Sequence, residues 1–188
     1  MTIYTDHVPL NLVCHPQTQS RSIRGVEVVV QMSVDGALIA RYMLTGDISA
    51  LRIPESRSPQ RADALWQHTC FEAFVMVGEG PGYREFNFSP SGEWAAYGFQ
   101  SYRNAGEPVI VREPEIRMHR SADRLELTAE FQTDIPSDCR SLRLGLSAVV
   151  EQADGEFSYW ALRHPPGRPD FHHLDAFALQ LDLTCTSA

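Results

Sequence analysis

The sequence predicts an all-β protein, a single-domain antiparallel β-sandwich of jelly-roll or immunoglobulin-like type with about ten strands and very little helix. Two observations predict it. Apolar residues alternate with polar ones along most of the chain, and no helical periodicity extends beyond two turns. Turn signals rich in Gly, Pro, Asp and Ser separate these alternating runs at close intervals. No repeat or linker divides the 188 residues, so we expect one domain over residues 1–188.

Each strand is predicted from its alternation and from the turn signals that bound it. The predicted strands are residues 26–32, 37–44, 69–77, 83–88, 93–99, 109–112, 115–119, 124–131, 142–150, 157–163 and 176–183. Asp35-Gly36 is typical of a tight hairpin turn. Residues 78–82 (GEGPG) and 89–92 (SPSG) form two further predicted turns. The GEGPG run opens no helix and has no lysine, so it is not a phosphate-binding loop.

The composition excludes several function classes. The net charge is −8 and the pI about 5.3, and all 16 basic residues are arginines. Nucleic acids and anionic membranes require clustered positive charge, so we expect neither as a partner. The absence of lysine also excludes Schiff-base chemistry.

The cysteines and the N-terminus predict a cytoplasmic protein with reduced thiols. The four cysteines form no C-x-x-C pair, which argues against a zinc ribbon or a thioredoxin-like motif. The N-terminal residues lack the basic start and apolar run of a signal peptide. No apolar run approaches the length of a membrane span. The oligomeric state stays open.

The hairpin formed by residues 69–88 carries the densest set of functional side chains. If Phe71 and Phe88 both face the core, any two residues that pair directly across this hairpin must have numbers that add to an odd value. Because side chains alternate between faces, the other face then presents a polar set. That set is Cys70, Glu72, Tyr83, Glu85 and Asn87, with Trp66, His68 and Trp94 near the ends of the same region.

Such a face has the chemistry of saccharide recognition. Aromatic rings stack on the C–H faces of pyranose rings, while carboxylates and amides bind vicinal hydroxyls. Two alternatives stay open. The rings could be ordinary sandwich packing beneath solvated polar groups, or Glu72 and Glu85 could form the carboxylate pair of a glycoside hydrolase.

The segment of residues 163–175 is the second unusual feature. It holds three prolines, which favour an ordered loop without regular structure. Its imidazoles and carboxylates are His164, Asp170, His172, His173 and Asp175. Their spacing matches no transition-metal motif, so we expect a loop and no transition metal. We predict that this loop folds over one end or face of the sandwich, forms one wall of the pocket, and brings Arg163 or His164 toward Glu72 and Glu85. The alternative is that the loop closes the surface and forms no pocket.

Several of these motifs together resemble a family. The strand T-C-F-E-A-F (69–74), the strand Y-R-E-F-N-F (83–88), the turn S-P-S-G-E-W (89–94) and the run LRHPPGRPDFHHLDAF (162–177) are similar to the bacterial DOMON-like domains related to family 9 carbohydrate-binding modules. The resemblance implies a jelly-roll-like β-sandwich that binds a saccharide or similar polyol and is not itself an enzyme.

The resemblance also carries residue roles and cofactors. Glu72, Tyr83, Glu85, Asn87 and Trp94 fall on matching hairpin positions, and Trp66 and Trp94 are the predicted sugar-stacking pair. Haem binding is the alternative the resemblance implies, with Met76 and either His164 or His172 as axial ligands. Structural calcium also stays open, because related modules can carry it and no D-x-D-x-D-G loop marks a site.

Overall fold

The computed structural model describes residues 8–33, 35–78, 80–136 and 139–183. The strands are β1 (Leu10–Cys14), β2 (Ile23–Met32), β3 (Leu38–Gly46), β4 (Cys70–Val77), β5 (Tyr83–Phe88), β6 (Trp94–Ser101), β7 (Asn104–Ala105), β8 (Glu115–Arg120), β9 (Arg124–Phe131), β10 (Ser141–Glu151), β11 (Phe157–Ala161) and β12 (Leu179–Asp182). Within the described ranges, helix is limited to the 3₁₀ turns Ile48–Ala50, Leu65–Gln67 and Leu174–Ala176. The all-β prediction is confirmed.

The strands form two antiparallel layers that are joined through β1. The first sheet has the order β1-β2-β3-β9-β8, and the second has the order β7-β6-β5-β4-β10-β11. β12 pairs with the first part of β10. β1 belongs to both layers because its residues 10–12 pair with β2 and its residues 13–14 pair with β11.

The inner faces of the two sheets pack on each other and form the main core. The first sheet contributes Val26, Val28, Val30, Leu38, Ala40, Tyr42, Leu44, Leu125, Leu127, Ala129 and Phe131, and the second contributes Phe71, Ala73, Val75, Phe86, Phe88, Leu144, Leu146 and Ala148. These residues follow the period-2 pattern, so each strand sends every second side chain into this core.

The predicted pairing of the β4–β5 hairpin is confirmed. Phe71 lies opposite Phe88 and Glu72 lies opposite Asn87, so the residue numbers of each pair add to an odd value. The two phenylalanines enter the core and the two polar side chains lie on the outer face of the second sheet. A one-residue slip would have exchanged the faces, so this register decides where the candidate site lies.

The predicted strand at residues 109–112 is wrong. These residues form no strand; Val109 is buried beside Gly98, whereas Ile110 is 92% exposed. Pro108 and Pro114 flank the segment, and proline lacks the N–H that a sheet ladder needs. Two strands, β1 and β7, were not predicted.

Tyr42 connects the two layers through a buried hydrogen bond. Its hydroxyl donates to the backbone oxygen of Glu72 over 2.7 Å. We expect Tyr42→Phe to lower the free energy of unfolding by about 1 kcal/mol, the usual net value of such a bond. Urea denaturation measures it. Tyr159→Phe is the control, because the described residues give the hydroxyl of Tyr159 no hydrogen bond; an equal or smaller loss in Tyr42→Phe would contradict the link.

Candidate functional site

The candidate site lies on the outer face of the second sheet. Glu72 on β4, Glu85 and Asn87 on β5, and Ser147 on β10 project from this face, and we call these four residues the polar floor. Asn87 and Ser147 are the cross-strand partners of Glu72. Glu85 is two residues from Asn87 on the same face, so it is a diagonal neighbour of Glu72.

The hydrogen bonds of the polar floor leave one fully buried acceptor atom without a partner. Asn87 Nδ2 donates to Glu85 Oε1 over 2.8 Å, and Ser147 Oγ donates to Glu72 Oε2 over 3.2 Å. Asn87 is fully buried, yet its Oδ1 has no hydrogen-bond partner. Such an orphaned acceptor is costly, and it points to a group that the free chain does not supply.

Burial changes the acidity of both glutamates. Glu72 and Glu85 are 3% and 6% exposed. Loss of solvation, together with the neighbouring charge of Glu85, raises the pKa of Glu72 well above its usual range. Loss of solvation also raises the pKa of Glu85, although the hydrogen bond from Asn87 opposes the shift. The pair therefore retains a proton at pH values where exposed glutamates are ionised.

Residues 162–178, which we call the covering loop, pack onto part of this face. Phe177 contacts Phe74 and Tyr83 edge-on, with ring centroids 5.9 and 5.3 Å apart. Gly145 on β10 permits the close approach: a Cβ there would lie 3.2 Å from the carbonyl oxygen of Ala176. The prediction that the proline-rich loop folds over the sandwich is confirmed.

His172 is the residue of the covering loop that reaches the glutamates. Its Nδ1 lies 2.8 Å from the hydroxyl of Tyr83, and its Nε2 lies 3.6 Å from Glu85 Oε2. The Tyr83 oxygen also accepts the backbone N–H of Arg103, and the donor of the bond between Tyr83 and Nδ1 is set by the tautomer of the imidazole. Burial and the nearby charge of Arg103 lower the pKa of His172 to about 4, and the ring is neutral at pH 7.

An ion pair holds the other side of the loop. Arg103 Nη2 donates to Asp170 Oδ1 over 2.9 Å, and the Tyr102 hydroxyl donates to Asp170 Oδ2 over 2.6 Å. Burial opposes ionisation of Asp170, but these hydrogen bonds and the charge of Arg103 outweigh it and lower its pKa. The guanidinium group nearest the polar floor, that of Arg103, is therefore already paired with the carboxylate of Asp170.

Partly exposed aromatic rings surround the polar floor. Tyr97 lies opposite Glu85; burial, followed by its hydrogen bond to Asp63, raises the pKa of Tyr97 to about 12. Tyr159 lies on β11, and burial together with the charge of Glu72 raises its pKa. The sequence did not single out either tyrosine or Ser147; the signal was their period-2 spacing on strands beside the predicted face.

Trp66 and Trp94 do not form a pair of stacking rings. Trp66 is 52% exposed, in the 3₁₀ turn Leu65–Gln67 beside the ends of β4 and β5. Trp94 is 7% exposed and belongs to the main core, opposite Phe88. The reason is the turn: Ser89 pairs with Glu93 around three residues, with Gly92 at φ +93°. The expected four-residue turn would have placed Trp94 on the outer face.

The other predicted binding residues contact different parts of the chain. His68 Nδ1 lies 2.8 Å from Glu151 Oε2, beyond the polar floor. His164 Nε2 lies 2.8 Å from the carbonyl oxygen of Val13. Arg163 is exposed and has no ion pair among the described residues. His172, rather than Arg163 or His164, makes the contact of the loop with Glu85.

His68 lines a separate cleft of about 770 Å³ at one end of the sandwich. Two buried glutamates in this cleft are already paired. Glu151 contacts Arg52 and His68, and Glu93 accepts hydrogen bonds from Arg57 and Gln60. Because its charged groups satisfy one another, this cleft offers less to a ligand than the polar floor does.

The structure bears in part on metals, cofactors and thiols. Among the described residues, no three His, Cys, Asp or Glu side chains are grouped as a metal site requires. Met76 packs in the cluster of Phe74, Phe171 and Phe177, and His172 and His164 contact the groups given above; haem and calcium stay predictions.

Cys14, Cys70 and Cys139 are free thiols, and Cys185 lies outside the described residues. No helix in the described ranges is long and apolar enough to cross a membrane.

The fold is similar to that of solved carbohydrate-binding proteins. A protein from Bacteroides uniformis, provisionally described as carbohydrate-binding, matches with a TM-score of 0.62 at 16% identity over 93% of this chain and 84% of its own. A family 9 carbohydrate-binding module from Caldicellulosiruptor kristjanssonii in complex with glucose matches with a TM-score of 0.57 at 8% identity, over 90% and 80%. A family 9 carbohydrate-binding module from the same organism in complex with cellotriose matches with a TM-score of 0.51 at 8% identity, over 84% and 75%. No protein-family model and no curated protein matches the sequence.

Proposed function

We propose that the protein is a non-catalytic binding domain for a saccharide or similar polyol, related to family 9 carbohydrate-binding modules and DOMON-like domains, and that the polar floor is its ligand site. The observation that carries the proposal is the unpartnered Oδ1 of Asn87, fully buried between two carboxyl groups. Vicinal hydroxyls would supply the missing donors. The likeness in fold to modules solved with glucose and cellotriose supports the same ligand class.

The surroundings of the polar floor support binding of a ring-shaped polyol. Tyr97 and Tyr159 offer partly exposed rings on strands beside the acceptors, and Trp66 offers an exposed ring in the turn by the ends of β4 and β5. Aromatic faces against C–H groups and polar atoms against hydroxyls are the two contacts that a pyranose requires. Glu72, Tyr83, Glu85 and Asn87 therefore keep their proposed binding roles, with Tyr83 acting through His172.

We propose that the two glutamates bind a ligand without hydrolysing it. A glycoside hydrolase uses one protonated carboxyl group and one ionised carboxylate, both facing the glycosidic bond. Here each glutamate gives one carboxyl oxygen to a hydrogen bond from Asn87 or Ser147. Turnover of nitrophenyl glycosides that disappears in Glu72→Gln would contradict this point. We also propose that the protein is cytoplasmic and binds neither nucleic acid nor membrane, in line with its net charge of −8.

Asn87→Ala tests the proposal. We expect one or more members of a panel of neutral, amino and acidic mono- and disaccharides to raise the melting temperature of the wild type, since a ligand at 100 times its Kd adds about 2.7 kcal/mol. In Asn87→Ala we expect the affinity for that saccharide, measured by calorimetry, to fall at least about tenfold, or 1.4 kcal/mol.

Gln60→Ala is the matched control. Like Asn87, Gln60 donates its amide to a buried glutamate, but at Glu93 in the separate cleft. The affinity of Gln60→Ala for that saccharide should remain within about twofold of the wild-type affinity, a free-energy difference well under 1.4 kcal/mol. A panel that leaves the wild-type melting temperature unchanged, or equal losses in the two variants, would contradict the proposal.

A further inference from the structure

The polar floor presents more free acceptors than free donors. The Asn87 amide donates to Glu85 and the Ser147 hydroxyl donates to Glu72. What remains is the Asn87 Oδ1, which has no partner, and the carboxyl oxygens that these two bonds do not use. The His172 Nε2 faces Glu85 from 3.6 Å, which is too long for a hydrogen bond.

The two carboxyl groups also lack a compensating cation. Glu72 has no ion pair among the described residues, and the ion-pair contact of Glu85 is with His172, which is neutral at pH 7. The charge of Arg103 acts on Glu85 from a greater distance and opposes the rise in its pKa that burial causes. The nearest guanidinium, that of Arg103, is paired with Asp170. No lysine exists in the chain. A buried carboxyl group with no cation beside it either stays protonated or is stabilised as a carboxylate by a positively charged ligand.

We propose that the natural ligand carries a primary ammonium group, as an amino sugar does, and that this group binds between Glu72, Glu85 and the Oδ1 of Asn87. An ammonium group has three N–H donors and no acceptor, which matches three acceptor groups. Charge-assisted bonds of this kind are about twice as strong as neutral ones. This inference rests on the proposed function and specifies its substrate class.

The same geometry predicts that ligand binding releases a proton. In the free protein the glutamate pair holds a proton, as its raised pKa values indicate, and the ammonium group takes the place of that proton. Affinity should therefore rise with pH until the amine itself loses its charge. The other titratable or charged groups that face the pair are Cys70, Tyr83, Tyr97, Arg103, Tyr159, Asp170 and His172. Of these, His172 titrates at about pH 4, and the tyrosines and Cys70 titrate at alkaline pH.

Calorimetry with three related sugars tests the inference. D-Glucosamine, D-glucose and D-glucuronate are compared at pH 6 and pH 7 at constant ionic strength. We expect glucosamine to bind at least about tenfold more tightly than glucose, more tightly at pH 7 than at pH 6, and with release of a proton. We expect glucuronate to bind more weakly than glucose, because its carboxylate faces two carboxyl groups.

Two variants locate the effect. In Glu85→Gln the advantage of glucosamine over glucose should fall to within about threefold, whereas Glu93→Gln, a buried glutamate of the separate cleft, should leave it unchanged. If Glu85→Gln does not fold, Glu72→Gln is used instead, and the advantage of glucosamine over glucose should fall in the same way. Glucose binding as tightly as glucosamine would overturn this inference and leave the proposed function standing. No binding of any of the three sugars would overturn both.

Discussion

We expect Phe74→Ala to lower the free energy of unfolding by about 3–5 kcal/mol, the usual cost of truncating a buried phenylalanine. Phe74 is 1% exposed although it lies on the outer face of the second sheet. Its ring packs against Phe177 and His172 of the covering loop, with centroids 5.9 and 5.2 Å apart. Without that ring the loop loses the surface on which it rests, and urea denaturation measures the loss.

Phe71→Ala is the matched control for Phe74→Ala. Phe71 is equally buried, but it enters the core between the sheets. Both variants should lose similar stability, yet only Phe74→Ala should make residues 162–178 sensitive to protease under native conditions. A loss below about 1 kcal/mol in Phe74→Ala, or equal protection of the loop in both variants, would show that the loop does not depend on this ring.

Glu72→Gln should be more stable than the wild type at pH 8, and its advantage should shrink as the pH falls toward 4. Burial and the charge of Glu85 raise the pKa of Glu72 in the folded state. A carboxyl group of this kind contributes stability below its unfolded pKa of about 4.3. That contribution is lost as the pH rises through the folded pKa, at up to about 1.4 kcal/mol per pH unit for one proton.

Glu93→Gln should be less stable than the wild type at pH 8, and this deficit should shrink as the pH falls toward 4. A hydrogen bond from Gln60 is the main cause that lowers the pKa of Glu93, and Ser91 and Arg57 add to it. Its stabilising contribution is present above the unfolded pKa and is lost as the pH falls through the folded pKa. Urea denaturation of the three proteins between pH 4 and pH 8 makes the comparison. Equal pH profiles in the two variants would contradict the assigned environments.

His172 adds an opposing slope that cancels in this comparison. Its pKa falls from 6.5 to about 4 on folding, so the stability it contributes above pH 6.5 is lost as the pH decreases toward 4. The wild type, Glu72→Gln and Glu93→Gln all retain His172. The differences between their profiles therefore report on the glutamates, provided that each variant keeps the covering loop in place.

The face of each side chain in the β4–β5 hairpin could be predicted from the sequence because the core imposes it. Phe71 and Phe88 must be buried, and the period of two then places Glu72 and Asn87 together on the other side. The position of Trp94 could not be predicted in the same way. It depends on whether the turn after Phe88 holds three or four residues, and one residue exchanges the faces.

The covering loop shows a different limit. Its prolines predicted an ordered segment, but a loop has no period that tells which side chain turns inward. His164 turned toward Val13, and His172 reached Glu85 because Phe171 and Phe177 on either side of it are buried. Spacing between buried aromatic residues was the available signal. Tyr97 and Tyr159 could not be identified from the sequence, because the pairing of strands that are distant in sequence brings them close to the glutamates.

Chemical-shift mapping by NMR tests most directly whether a saccharide binds on the polar floor. The ¹⁵N-labelled protein is titrated with the saccharide that stabilises it most. We expect the largest shifts on residues 70–74, 83–87 and 170–173, including the side-chain amide of Asn87, whose oxygen has no partner in the free chain. Largest shifts in the cleft lined by His68, Glu93 and Glu151, with Asn87 unchanged, would contradict it.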